Sequence, residues 1–212
     1  MIRAMMLAVA ATFPSTGQSA LVADQTVVES GTATQASGIA SATTTLPVES
    51  DFDATTGYRV AHYRAVVPAP PEGVPRIDAA KVVTLMRTRR AVLIDVMPAE
   101  GGVRDPVTGD WRLAQPRDSI AGAAWFPEAG RGLPDPGIAQ WFAGGIASLR
   151  GKADSRPLIV FCLADCWMSW NAARRLSKAG YREVYWFADG TDGWAESGGA
   201  LVRVQPFGTP PP

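Results

Sequence analysis

With 212 residues, 47% hydrophobic and 19% charged, the chain is long enough for one domain with a substantial core and a flexible extension besides. Its twenty basic and twenty acidic residues cancel, so no global field draws it to nucleic acid or to an anionic membrane surface, and small neutral partners or a protein surface fit better. No apolar run approaches the roughly 20 residues that span a bilayer, so the sequence is not read as an integral membrane protein.

The amino terminus has a cation at Arg3, an apolar stretch from Ala4 to Phe13 and small residues at Ser19 and Ala20. That is the layout of a secretory signal peptide, expected over residues 1–23, and it implies export. Residues 24–50 are rich in Ser, Thr, Ala and Val without apolar periodicity and are expected to be a flexible linker. An N-terminal extension, 51–76, precedes the folded part at 77–204, and the Pro-rich end, 205–212, is expected to be a tail.

Within the folded part, helical and strand patterns alternate. Asp78 is a good N-cap for a helix with Val82, Leu85 and Met86 on one face, and Arg87-Thr-Arg-Arg90 suits a helix C-terminus, which favours cations. Ala91–Val96 predicts a buried strand and Ala123–Phe126 a short second one. Gly137–Leu149 carries Ile138, Trp141, Phe142, Ile146 and Leu149 at helical spacing. Pro157–Phe161 reads as a strand, Trp167–Ala179 as a helix closed by Gly180, and Glu183–Phe187 as a strand. Near-continuous apolar strands between helices imply an α/β fold: a central parallel sheet flanked by helices on both faces.

Both cysteines of the chain, Cys162 and Cys166, lie where the strand ending at Phe161 turns into the helix. Ligands of parallel sheets bind beyond the carboxyl ends of the strands. The free N–H groups and dipole of a helix N-terminus favour a thiolate there, and Cys162, first in the loop, is expected to be the more reactive thiol with Cys166 resolving its adducts. The opposing reading is a structural disulfide, which an oxidising compartment favours. Such a bridge would close a very small loop and stabilise less than the roughly 3 kcal/mol estimated for 15 residues. Asp165, Trp167, Ser169 and Asp95 are candidate site-lining residues, Asp95 at a strand end being expected to hold a loop. Trp167, Trp170, Trp186 and Trp194 fit core packing better than a flat aromatic ligand. Asp189 and Asp192 fit turns rather than a calcium loop, and His62, alone and distant in sequence, makes neither a Cys-His pair nor a zinc site, so no metal is expected.

The segment Cys162 to Leu176, with Asn171-Ala-Ala-Arg-Arg, resembles the active-site loop and following helix of the rhodanese superfamily. Ala91-Val-Leu-Ile-Asp-Val96 resembles its first core strand with terminal Asp, and Ser119-Ile-Ala-Gly-Ala-Ala124 its Ile-Pro-Gly-Ala segment, with Ala121 in place of Pro. Asp189-Gly-Thr-Asp-Gly-Trp194 with Gly198 resembles the closing segment. Thr56-Gly-Tyr-Arg59, Tyr63-Arg64 and Cys-x3-Cys-Trp resemble one subgroup, the Cys-Cys-Trp motif proteins associated with pyrroloquinoline-quinone-dependent catabolism. The resemblance covers about residues 52–204 and implies a rhodanese-like fold, a periplasmic location and a partner such as a quinoprotein dehydrogenase or a thiol redox protein. No cofactor is assigned to the chain from its sequence, and binding of the quinone itself stays open. Two functions remain open: thiol–disulfide or persulfide chemistry serving alcohol oxidation, or a non-catalytic binding or maturation factor whose cysteines form a fixed bridge.

The loop departs from the sulfurtransferase pattern, since Cys162 to Ser169 contains no Arg or Lys and does contain Asp165, whose carboxylate opposes a thiolate. Transfer of sulfur from thiosulfate is therefore expected to be slow, and phosphatase chemistry, which also needs a loop Arg, is disfavoured. For the terminus, sequencing of the mature protein should find a start between about residue 20 and residue 24 in an extracytoplasmic fraction. A cytosolic protein beginning at Met1 would remove the export expectation.

Overall fold

The computed structural model describes residues 50–209. The expected signal peptide and the linker up to residue 49 lie outside the described residues, as do the last three residues of the tail. In chain order the elements are α1 (Ala79–Arg89), β1 (Val92–Asp95), β2 (Val103–Arg104), β3 (Trp111–Arg112), β4 (Arg117–Ile120) and β5 (Ala124–Trp125). There follow α2 (Pro136–Leu149), β6 (Leu158–Phe161), α3 (Trp167–Lys178), β7 (Val184–Phe187), α4 (Gly190–Glu196) and β8 (Leu201–Val204).

The four apolar strands make one parallel sheet in the order β5-β1-β6-β7. All four residues of β6 are fully buried, because alternate side chains enter two separate cores. Leu158 and Val160 pack with Ile138, Phe142 and Ile146 of α2 and Met168, Ala172 and Leu176 of α3. Ile159 and Phe161 pack with Val82 and Leu85 of α1 and, at its edge, Trp194 of α4. The fold is therefore α/β with helices on both faces, and each large apolar side chain so buried contributes about 1.5–3 kcal/mol.

The helix ends follow local chemistry. Asp78 accepts from the Lys81 amide at 2.8 Å and starts α1, which Arg90 closes in the left-handed conformation at φ 50°. Pro136 occupies the first turn of α2 after the Asp135 cap, one residue earlier than the apolar spacing shows, since a first-turn Pro loses no helical bond. Gly180 follows α3 at φ +87°.

Four features depart from the sequence reading. The short pairs β2–β3 and β4–β8 are antiparallel, and β8 is mostly exposed, so no apolar alternation announces it. The segment 190–196, read as a turn, is helical despite its glycines; tertiary contact overrides propensity. Gly190, at φ +56°, lies so close to Cys162 that a Cβ would collide with the Cys162 carbonyl. Residues 205–209 are no loose tail: Phe207 donates its amide to Trp125 and stacks on Phe126 with ring centroids 4.8 Å apart.

The N-terminal extension is bound to α3. Buried Asn171 accepts from the Arg59 amide at 3.1 Å and donates to the carbonyls of Arg59 and Gly130 at 2.9 and 3.0 Å. Arg174 donates to the carbonyls of Thr56 and Gly57. Further along, Ile77 and Trp186 exchange backbone bonds with Trp186 and Pro75 respectively, so residues 75–77 line the β7 edge. Replacing Asn171 by Ala leaves three buried backbone groups unpaired, and urea unfolding should report a loss of about 2–3 kcal/mol or more.

Candidate active site

The cysteines stand beyond the carboxyl ends of β1 and β6, the two central strands. The alternation of β6 decides the orientation of the first. Leu158 and Val160 point into the core beneath α3, and Cys162, two residues on, points the same way and is fully buried. Its Sγ lies 3.6 Å from the Met97 sulfur and 2.7 Å from the Cys166 Sγ, to which it donates. Burial pushes the Cys162 thiol well above its ordinary value, and the neighbouring Cys166 and the Asp95 carboxylate push it the same way.

Cys166, not Cys162, is the N-cap residue of α3. The thiol of Cys162 donating to it lowers its pKa to about 7 against the opposing effect of burial. The amides of Met168 and Ser169 face its sulfur without a formed capping bond, and they and the charge of Arg64 favour the thiolate further. Cys166 also opens onto a cavity of about 310 Å³ lined by His62, Tyr63, Arg64, Met97, Pro98, Glu100, Arg131 and Met168. Where the sequence places the helix N-terminus over Cys162, the strand's own period turns Cys162 inward, and the helix dipole acts on Cys166, the residue that begins the helix.

Arg64 owes its place to a short antiparallel bridge. The amide of Ala65 donates to the Asp165 carbonyl at 3.0 Å and that of Trp167 to the Tyr63 carbonyl at 2.9 Å, leaving Arg64 directly opposite Cys166. Residues opposed in this way, flanked by bonds rather than sharing them, have the closest side chains of an antiparallel ladder. The loop itself carries no cation, and the extension sets one, Arg64, opposite Cys166. Spacing gives no sign of it, because about a hundred residues separate the two partners.

The other candidates hold the site together. Asp95, fully buried, accepts from Ser119 Oγ at 2.6 Å, Arg117 Nε at 2.9 Å and the Met97 amide at 2.8 Å. Burial raises its pKa against the pull of Arg117. It fixes the turn after β1 to β4. Asp165 is exposed at φ +49° and contributes its carbonyl to the bridge. Ser169 turns its hydroxyl away, donating to the Cys166 carbonyl and accepting from the Trp186 indole. Trp167 packs against Phe52 and Trp170, with the Arg59 guanidinium 4.9 Å from its ring. Neither the Trp167 ring nor the Ser169 hydroxyl lines the cavity.

His62 reaches the cavity rim but pairs with Asp51 at 2.6 Å, and Arg131 pairs with Glu128 at 2.7 Å. Asp189 pairs with Arg76, and Asp192 accepts from the Ala164 amide and so anchors the cysteine loop. Among the described residues no three His, Cys, Asp or Glu side chains converge as metal ligands, and no helix is long and apolar enough to cross a membrane.

No protein-family model matches the chain, and no curated protein matches it. Among solved structures it is similar to a thiosulfate sulfurtransferase from Pseudomonas aeruginosa, at 22% identity and a TM-score of 0.42 over 63% of this chain and 21% of that one. It is also similar to a rhodanese-like domain from Anabaena, at 20% identity and TM-score 0.40 over 65% of this chain and 88% of that one. A full-length protein from Lactobacillus plantarum follows at 21% identity and TM-score 0.39, over 61% and 88% of the two chains. The chain thus spans about a fifth of the length of the Pseudomonas protein, 21%.

With the cysteines reduced, alkylation by iodoacetamide should modify Cys166 first, with a midpoint near pH 7, and leave Cys162 protected until the protein unfolds. Because the folded pKa of Cys166 lies below the unfolded value of about 8.5, its contribution to stability is fully present above that value. It is lost as the pH falls through about 7. Peptide mass spectrometry across a pH series reads the order and the midpoint.

Proposed function

We propose that the protein is an exported, rhodanese-like thiol protein of the periplasm whose Cys166 and Cys162 cycle between dithiol and disulfide, or pass persulfide sulfur. The single observation that carries this reading is the unequal sulfur pair: 2.7 Å apart, with one member facing a cavity beside a cation and the other sealed behind it. The Cys166 thiolate attacks an incoming sulfur–sulfur bond and its adduct is resolved by Cys162 from within. The leaving thiolate carries away the electron pair of the broken bond. The service of this chemistry to quinoprotein-dependent alcohol oxidation, with a quinoprotein dehydrogenase or a thiol redox protein as partner, rests on the sequence resemblance at Cys-x3-Cys-Trp and Tyr63-Arg64.

Substitution separates this from a fixed bridge. Cys162→Ser should leave a mixed disulfide or persulfide trapped on Cys166, seen as an added mass on the intact protein, whereas Cys166→Ser should leave a folded protein with no reactive thiol. A structural staple would lose stability equally in both variants and trap nothing. A potential of the wild-type pair below about −300 mV, the range of inert secreted disulfides, would likewise end the redox reading in favour of a docking factor.

A further inference from the structure

The cavity outside Cys166 carries a charge preference of its own. Arg64 is exposed and has no ion-pair partner among the described residues, while Glu128 lies against Arg131 and Asp51 against His62. Glu100 is the one acidic residue among those that line it. The walls between these groups are the Tyr63 ring, Met97, Pro98 and Met168. A space of about 310 Å³ holds roughly ten water volumes, more than a bare inorganic oxyanion fills and enough for a short organic chain against the apolar walls.

We propose that the site takes a small organic disulfide bearing carboxylate or sulfonate groups, with Arg64 receiving an anionic group while its sulfurs meet Cys166. This rests on the reading of Cys166 as the attacking thiolate. In the step, Cys166 Sγ forms a bond to one substrate sulfur, the substrate S–S bond breaks, and one thiolate leaves with its electron pair. Cys162 then loses its proton to solvent or to that departing thiolate, bonds to Cys166 Sγ and expels the second thiolate. The substrate disulfide is reduced by two electrons and the protein dithiol oxidised by two. The forked guanidinium suits either anion, as two parallel N–H···O bonds.

Three probes of similar size test it on the reduced full chain: dithiodiglycolate as the dianion, bis(2-hydroxyethyl) disulfide as the neutral form and cystamine as the dication. At low ionic strength the dianion should oxidise the pair at least about tenfold faster than the dication, with the neutral probe between them and the spread shrinking as salt rises. Arg64→Gln slows all three by raising the Cys166 pKa, so the deciding quantity is the ratio of dianion to neutral rates, which does not depend on the thiolate fraction. That ratio should fall several-fold in Arg64→Gln and be restored in part by Arg64→Lys. Equal rates for the three probes, or a ratio unchanged in Arg64→Gln, overturns the substrate class while leaving the thiol chemistry standing. Failure of even the neutral probe to oxidise the pair overturns the thiol-exchange reading itself, and the substrate class with it.

Discussion

The pairing of residues 63–65 with residues 165–167 is the constraint on which the site depends. Two backbone bonds decide where α3 begins, since the Trp167 amide they engage is one that a helix start would otherwise leave without a partner. They set Arg64 opposite Cys166, and they build one wall of the cavity from Tyr63 and Arg64. The bridge is held in turn by what lies before it in the chain. Arg59 is buried under Asn171, and its guanidinium spans Asp51 and the carbonyls of Ala61 and His62. The segment therefore cannot drift without unpairing buried polar groups, each worth about 1–3 kcal/mol.

Behind the sulfurs a second anchor acts from the sheet. Asp95 ends β1 and engages three donors, the Met97 amide, the Ser119 hydroxyl and the Arg117 guanidinium, and the Met97 sulfur lies 3.6 Å from Cys162 Sγ. On the other side Thr191 donates its amide to the Cys162 carbonyl, and the Asp192 carboxylate accepts from Ala164. The loop is thus clasped from the extension, from the turn after β1 and from α4. A loop fixed on three sides holds sulfur geometry that a free loop would average away.

The sheet was legible in the sequence because burial on both faces writes a continuous apolar run, as Leu158–Phe161 does, and the helices because Asp78 and Gly180 mark ends of α1 and α3 and apolar spacing marks α2. The cysteine loop was legible as a place. Its orientation was present but unread: Cys162 has the same parity as Leu158 and Val160, and a period of two was enough to turn it inward. Tyr63-Arg64 was legible as part of a resemblance, but not the place of Arg64 opposite Cys166, since a pairing of two bonds across a hundred residues leaves no periodic trace. The same holds for β8, whose exposed side chains need no apolar pattern, and for α4, a helix sustained by contact rather than propensity.

The electrostatics of the pair also impose an order on the chemistry proposed for it. Two of the influences that hold Cys162 protonated, after burial, come from Cys166: the hydrogen bond between them and the charge on its sulfur. Both act only while Cys166 is a thiolate. Once Cys166 has bonded to an incoming sulfur it is neutral, and those influences vanish, leaving burial and Asp95 to oppose ionisation of Cys162. In that chemistry the inner thiol would be restrained before the outer one reacts and released afterwards, in place to attack a sulfur it already faces. A premature attack from Cys162 would need a buried second negative charge beside Cys166 and Asp95, which the low-dielectric interior opposes. In the proposed chemistry, the asymmetry that seals one sulfur and turns the other toward the cavity is therefore also what makes the outer one act first.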